Sequence, residues 1–321
     1  MKKVLLIRLS SLGDLVIVSS VLELLKHRPY EIYLVTYKNF APLFEHDPRI
    51  KEIITVPRPY KLKDILNVIK KIREQDFDFA FDLQFKVLSQ VILKFSRAKF
   101  KYTYDNRRKE RVRAVKSKII PEEIPVYELY SRPIKETLEL DDPTTCPVLY
   151  PYPIDLTLPE KYIVISPGAK HATKMWPYYG ELVTVLKNLY REYEIVAIGD
   201  SKDSAVVEPY RNEVLDLTGK TRIPELLKVI ERASLVVSND SAAMHIASAY
   251  KVPTVAIFGP TIPEFGFRPC NAEIVEIKGL PCRPCSLHGS EKCPLSHFRC
   301  MKEINVDMVI KAIKKIFPLK T

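Results

Sequence analysis

The chain has 321 residues, with 50 Lys and Arg against 39 Asp and Glu, a formal net charge of +11 and 46% hydrophobic residues. That length and balance describe a soluble globular protein with enough core for two domains. No apolar run approaches the roughly 18 residues of a membrane span, and Arg8 and Asp14 break the apolar start before any cleavage-site pattern, so a cytoplasmic protein is expected.

In chain order, "KVLLIR" reads as a buried strand, 14–27 as a mostly apolar helix, "EIYLVT" and "IKEIITV" as two further strands, and 61–74 as a helix with basic residues around its apolar stripe. "FDFAFDLQ" then alternates like a strand. The proline-rich stretch 139–161 has little helical period and reads as a linker. Alternation resumes with "YIVISPG", helix 178–192, "EIVAIGD", helices 202–211 and 224–233, "LVVSND", helix 241–250 and "TVAIFGP". Strands alternating with helices imply parallel sheets, so the expected architecture is α/β: two Rossmann-like halves, 1–150 and 151–321, joined by a proline-rich hinge.

In such sheets ligands bind where strands lead into helices, at their carboxyl ends. Gly13, in "LSSLGD", is the only glycine of the first 167 residues and occupies that place after the first strand. A glycine there permits φ > 0 or close approach of another group. Asp14 follows in the first helical turn, either as a general base for an incoming hydroxyl or as a helix cap. Neither G-x-G-x-x-G nor a Walker sequence is present, which argues against nicotinamide and P-loop chemistry.

The second half carries "VVSNDSAAMHIASAY", a strand, turn and helix start. Asp240 or Ser241 would cap that helix, whose exposed N–H groups suit an anion. Ala242 and Ala243 leave its entrance uncluttered, and His245 lies one turn beyond Ser241 on the same face. The plainer reading is a capped helix with a core histidine. "SPGAKHATKMWP" brings Lys170, His171, Thr173 and Lys174 into one loop with the charges and hydroxyl that a diphosphate needs.

Charge is uneven: residues 1–150 hold 28 basic and 20 acidic side chains (+8), and 151–321 hold 22 and 19 (+3). Segment 94–118 alone has 11 basic and two acidic residues, a field that attracts phosphates of nucleic acid, anionic lipid or substrate, or else a solvated surface. The aromatics Phe95, Phe100, Tyr102 and Tyr104 within it keep a nucleic-acid-binding protein as an alternative.

"SSLGD", "PGAKHATKMWP", "SNDSAAMH" and "VAIFGPT" together resemble the ADP-heptose:lipopolysaccharide heptosyltransferases, glycosyltransferase family 9, over nearly the whole chain. The resemblance implies a GT-B fold with two Rossmann-like domains facing across a cleft. The first domain would bind the acceptor and the second the nucleotide-sugar, and the C-terminal helix would be able to pack back on the first domain. It implies inverting, metal-independent transfer of heptose from ADP-heptose to the inner core of lipopolysaccharide, with no cofactor required for catalysis. Asp14 matches the base, Lys174 the diphosphate ligand, and Asp240 the residue facing the donor heptose. Ser241, Ala242 and His245 match helix-start phosphate contacts, and Thr173 a phosphate-binding threonine. Ala242 stands where many members carry glycine.

Ser10, Ser11 and Gly13 near the base, with Arg58, Lys61 and Lys63, are the candidate acceptor contacts. They would face a phosphorylated lipid A–core acceptor, with peripheral contact at the inner face of the inner membrane; no nucleic acid is expected. A different nucleotide-sugar donor is the nearest alternative. Finally, Cys282, Cys285, Cys293 and Cys300 form a C-x₂-C-x₇-C-x₆-C cluster, which reads as a structural zinc site, a metal-free loop or a redox element.

Overall fold

The computed structural model describes residues 1–319 and divides into two compact units: Met1–Asn106 with Ile124–Tyr150, and Arg107–Glu123 with Pro151–Thr321. Segment 107–123, placed with the first domain by its sequence position, groups with the second unit.

The first unit contains β1 (Lys2–Ile7), α1 (Leu12–Leu25), β2 (Tyr30–Tyr37), β3 (Ile50–Val56), α2 (Leu62–Arg73), β4 (Phe79–Asp82), α3 (Val87–Phe95) and β5 (Phe100–Thr103). After α4 (Arg108–Ser117), which belongs to the second unit, α5 (Val126–Leu138) completes the first. All strand pairs are parallel, in the order β3-β2-β1-β4-β5. Helix α1 is buried around most of its circumference, as its apolar sequence requires, and α5 packs on it. Helix α2 is amphipathic: Ile65, Val68, Ile69 and Ile72 are buried at helical spacing, while Lys70, Lys71 and Arg73 occupy the last turn, where cations oppose the helix dipole.

The second unit contains β6 (Tyr162–Ser166), α6 (Tyr179–Leu189), β7 (Glu194–Ala197), α7 (Ser204–Val207), β8 (Leu215–Asp216), α8 (Ile223–Glu231), β9 (Leu235–Asn239), α9 (Ala242–Ala249), β10 (Thr254–Phe258), β11 (Ala272–Glu276), α10 (Arg299–Lys302) and α11 (Val306–Ile316). Its parallel sheet runs β11-β10-β9-β6-β7-β8. Strands β6, β9 and β10 are buried throughout, as strands covered by helices on both faces must be. The fold is α/β of GT-B type, with two Rossmann-like sheets in one chain.

One detail departs from the sequence reading. The expected helix 202–211 is a series of short turns, Ser201–Asp203, Ser204–Val207 and Glu208–Glu213. Pro209 removes a backbone donor there, and Tyr210 leaves helical geometry at φ −130°. The C-terminal helix α11 contributes Val309, Ile310, Ala312 and Ile313 to the second unit's core. In the basic segment, Tyr102 stacks on Phe81 and Tyr104 packs edge-on against Tyr130, while Phe95 and Phe100 are exposed.

Candidate functional site

The first unit's strand order reverses between β1 and β4, the position at which open parallel sheets leave a crevice for ligands. The loop after β1 carries Ser10, Ser11 and, in the first turn of α1, Gly13 and Asp14. Gln84, from the loop after β4, fixes this loop. Its side-chain oxygen accepts from Leu9 N at 2.6 Å and Ser10 N at 3.2 Å, and its amide donates to Ser10 Oγ. Gly13 is buried with helical backbone, so left-handed φ is not the reason for glycine there.

Asp14 is held from several sides. One oxygen lies 2.7 Å from the Arg8 guanidinium and 3.4 Å from the Tyr130 hydroxyl, which donates to it. The other accepts from Ser11 Oγ at 2.6 Å and from Ser11 N at 3.2 Å. The capping reading is met, because the carboxylate closes the helix start, and the same carboxylate stands against a buried cation. Burial opposes the charge of Arg8, but Asp14, Tyr130 and Tyr104 outweigh it and raise its affinity for its proton further. The guanidinium also donates to Leu83 O and lies over the Tyr130 ring.

Arg8, Gln84 and Tyr130 were not singled out from sequence. Each had a signal: an arginine at the end of an otherwise apolar strand, a glutamine just past the second switch-point strand, and Val126, Leu129, Tyr130 and Ile134 at helical spacing. Arg58, Lys61 and Lys63 are exposed around the start of α2. Arg58 lies over the Tyr37 ring, and Lys61 N donates to the capping carboxylate of Asp64 at 2.7 Å.

In the second unit the reversal falls between β6 and β9. Asn239, at the end of β9, donates to Pro167 O at 2.7 Å and accepts from Trp176 N at 3.2 Å, tying the two loops at that edge together. The buried Trp176 ring donates in turn to Ile304 O. Lys174 thereby reaches Asp240, with its ammonium 2.6 Å from the carboxylate. Thr261, just beyond β10, donates its hydroxyl to the same oxygen at 2.6 Å. Burial pushes the Asp240 carboxyl up, yet Lys174, Thr261 and His245 together hold it below the ordinary value, so it is ionised at neutral pH.

Ser241 takes the N-cap position of α9 with extended backbone, but its side chain makes no capping hydrogen bond; its hydroxyl contacts Ser238 Oγ at 3.0 Å. The helix start therefore has no side-chain cap on its N–H groups, the arrangement that favours an incoming anion. His245 is buried one turn further on.

Thr173 is buried, its hydroxyl donates to Ser290 O and accepts from Ser290 N, both at 2.8 Å, and its own N–H donates to Ser290 O. With its donor and acceptor capacity engaged in this way, it holds the loop that carries Lys174.

Ser290 belongs to the cysteine-rich loop, and a second residue of that loop, Arg283, is equally committed. Its buried guanidinium donates to Gly259 O, to Thr261 O at 2.8 Å and to Ile277 O, and pairs with Glu276 at 2.9 Å. Lys118, at the end of α4, donates to Cys282 O and Pro284 O from another side. Cys282, Cys285, Cys293 and Cys300 are free thiols. Burial pushes Cys285 up and Cys300 to about 12, with the neighbouring cysteines adding to both. Among the described residues no group of three or more His, Cys, Asp or Glu side chains is placed to hold a metal ion. The work visible in this loop is done by Arg283 and Ser290, which brace the turns that carry Thr261 and Lys174.

Comparison with known proteins follows the same lines. Residues 65–297 match glycosyltransferase family 9 (heptosyltransferase). The chain is 29% identical to lipooligosaccharide heptosyltransferase 2 of Campylobacter jejuni, covering 95% of this chain and 96% of that protein. It is 26% identical to lipopolysaccharide heptosyltransferase 3 of Escherichia coli, covering 95% of each. The solved ADP-heptose LPS heptosyltransferase II of E. coli has the same fold, with a TM-score of 0.74, 21% identity and 98% of both chains covered. A match over residues 65–297 is most of the chain, and with it this protein belongs to glycosyltransferase family 9, the heptosyltransferases.

Proposed function

We propose that this glycosyltransferase moves a heptose from ADP-heptose to a phosphorylated inner-core sugar of lipopolysaccharide, with inversion and without a metal ion, at the cytoplasmic face of the inner membrane. The observation that carries the reading is the Lys174–Asp240 pair beside the open start of α9. A departing diphosphate needs positive charge where its oxygen is released, and an ammonium with helix N–H groups supplies it. In the proposed step the acceptor hydroxyl gives its proton to Asp14 as its oxygen bonds to the anomeric carbon, and the bond to the diphosphate breaks to release ADP. Arg8, Tyr130 and Ser11 support that role by fixing the carboxylate's orientation. The names of the Campylobacter and Escherichia relatives support a lipid-anchored core sugar as acceptor.

Another nucleotide-sugar remains the second reading, because Ala242 adds a methyl group at the helix entrance. A thermal-shift screen with ADP-heptose, UDP-sugars and GDP-sugars, followed by transfer assays with purified acceptor, separates the two. Stabilisation and transfer by ADP-heptose alone are expected. Stabilisation by a UDP- or GDP-sugar, with none by ADP-heptose, would reverse the donor assignment.

A further inference from the structure

Segment 107–123 leaves the first unit after β5 and returns to it before α5, yet it groups with the second. Its fastening there is specific. Ala114 of α4 is fully buried in one cluster with Ile262 and Phe265, and Val115, Phe267 and Leu287 pack around them. Arg111 lies over the Phe267 ring, and Arg268 Nε donates to Glu123 at 2.8 Å. At the end of the helix the Lys118 ammonium spends its three N–H donors on main-chain carbonyls. They are Pro284 O at 2.7 Å, Val115 O at 2.8 Å and Cys282 O at 3.0 Å. Val115 O is one of the last four carbonyls of α4, which lack partners within the helix and carry the negative end of its dipole. Neither an amide nor a hydroxyl side chain offers that many donors.

We propose that α4 is a functional part of the second unit's site and that Lys118 is a positioning residue for Asp240. The two loop carbonyls it holds belong to the residues on either side of Arg283. Clamping them fixes where the Arg283 side chain leaves the backbone, and its guanidinium holds Gly259 O and Thr261 O. Thr261 in turn donates to Asp240. Helix α4 supports the same turn from a second direction, because Ile262 directly follows Thr261 and packs in the cluster with Ala114. Segment 94–118 reads from its composition as a field for phosphates, but the charge of Lys118 is spent on the protein's own backbone. The purpose assigned to Lys118 rests on the proposed transfer, in which Asp240 meets the donor sugar. The bracing itself does not.

Two measurements on Lys118→Met of the full chain test this. The Lys118 stem is exposed, so the substitution disturbs no core. Hydrogen exchange without ligand, read by peptide mass spectrometry, needs no turnover. Amides in 259–266 and 280–286 should exchange about fivefold faster than in wild type, the factor set by losing roughly one net hydrogen bond. In transfer assays with ADP-heptose, kcat should fall by a similar factor of about five. ADP affinity, by calorimetry, should stay within about twofold, because ADP carries no sugar for Asp240 to meet. Lys118→Met added to Thr261→Val should cost little more than Thr261→Val alone, since both act through one carboxylate. Lys116→Met removes the same charge from an exposed position on the same helix and should match wild type in exchange and kcat. Wild-type exchange rates in both segments of Lys118→Met overturn the bracing. Unchanged kcat, equal losses of kcat and ADP affinity, or the same changes in Lys116→Met overturn the positioning role. A wild-type chain that transfers no heptose sinks the functional reading, while the exchange result still decides the bracing.

Discussion

Lys174 and Thr261 converge on one oxygen of Asp240, each at 2.6 Å, although the three residues lie on three separate strand-end loops. The ammonium supplies charge, and the hydroxyl fixes which way the carboxylate faces. If Asp240 meets the donor sugar, its aim depends on the Thr261 hydroxyl.

That dependence gives the first prediction. Thr261→Val keeps the shape and removes the hydrogen bond, so transfer should fall about tenfold, in line with loss of a hydrogen bond to a charged group. Thr261→Ser should stay within about twofold of wild type, because it retains the hydroxyl. In an Asp240→Asn background the valine substitution should cost little more, since its effect passes through the carboxylate. Steady-state kinetics on the four variants checks this; additive losses would show that Thr261 acts elsewhere.

Lys174→Met should weaken ADP binding about tenfold or more, measured by calorimetry, because it removes a charge-assisted contact and leaves the Asp240 carboxylate without its counter-ion. Unchanged affinity would remove Lys174 from the diphosphate site.

Asp14→Asn should lower turnover by at least ~10²-fold, the usual range for a general base. The variant should also melt several degrees lower, because the buried Arg8 guanidinium loses its partner. Near-normal transfer with purified donor and acceptor would exclude Asp14 as base.

The thiols give a pH prediction. Burial holds Cys300 protonated up to about 12, so at pH 8 it should be the slowest of Cys282, Cys285, Cys293 and Cys300 to react with iodoacetamide, read by peptide mass spectrometry. Its folded value lies above the ordinary thiol value. The associated stability is therefore complete below about pH 8.5 and is lost as pH rises toward 12. Cys300→Ala should flatten that alkaline decline in the melting temperature.

Salt gives the last. The exposed cations Arg58, Lys61 and Lys63 should make the KM for a phosphorylated acceptor rise with ionic strength, since exposed charges are screened over about 8 Å near physiological salt. A KM independent of salt would argue against phosphate recognition there.

Much of this was legible in the amino-acid order. Parallel β/α alternation, the proline-rich break near 150 and the strand-end position of "LSSLGD", "PGAKHATKMWP" and "SNDSAAMH" follow from period and turn chemistry, which are local properties. Asp14, Lys174, Asp240 and Ser241 could be singled out because they lie where parallel strands deliver ligands. Their partners could not. Arg8 is six residues from Asp14, but Tyr130 is over a hundred away, and Thr261, Arg283 and Ser290 reach the second site from segments whose motifs do not say which residues they touch.

The same limit applies to Thr173. A hydroxyl beside a lysine has the right chemistry for phosphate. Whether such groups are free depends on what the rest of the chain brings to them, here Ser290 O and N for the threonine. Sequence decides which groups are available and at which sheet edge. Tertiary structure decides which of them are already spent on one another, because hydrogen bonds and ion pairs act over a few ångströms while the chain that closes them runs through more than a hundred residues.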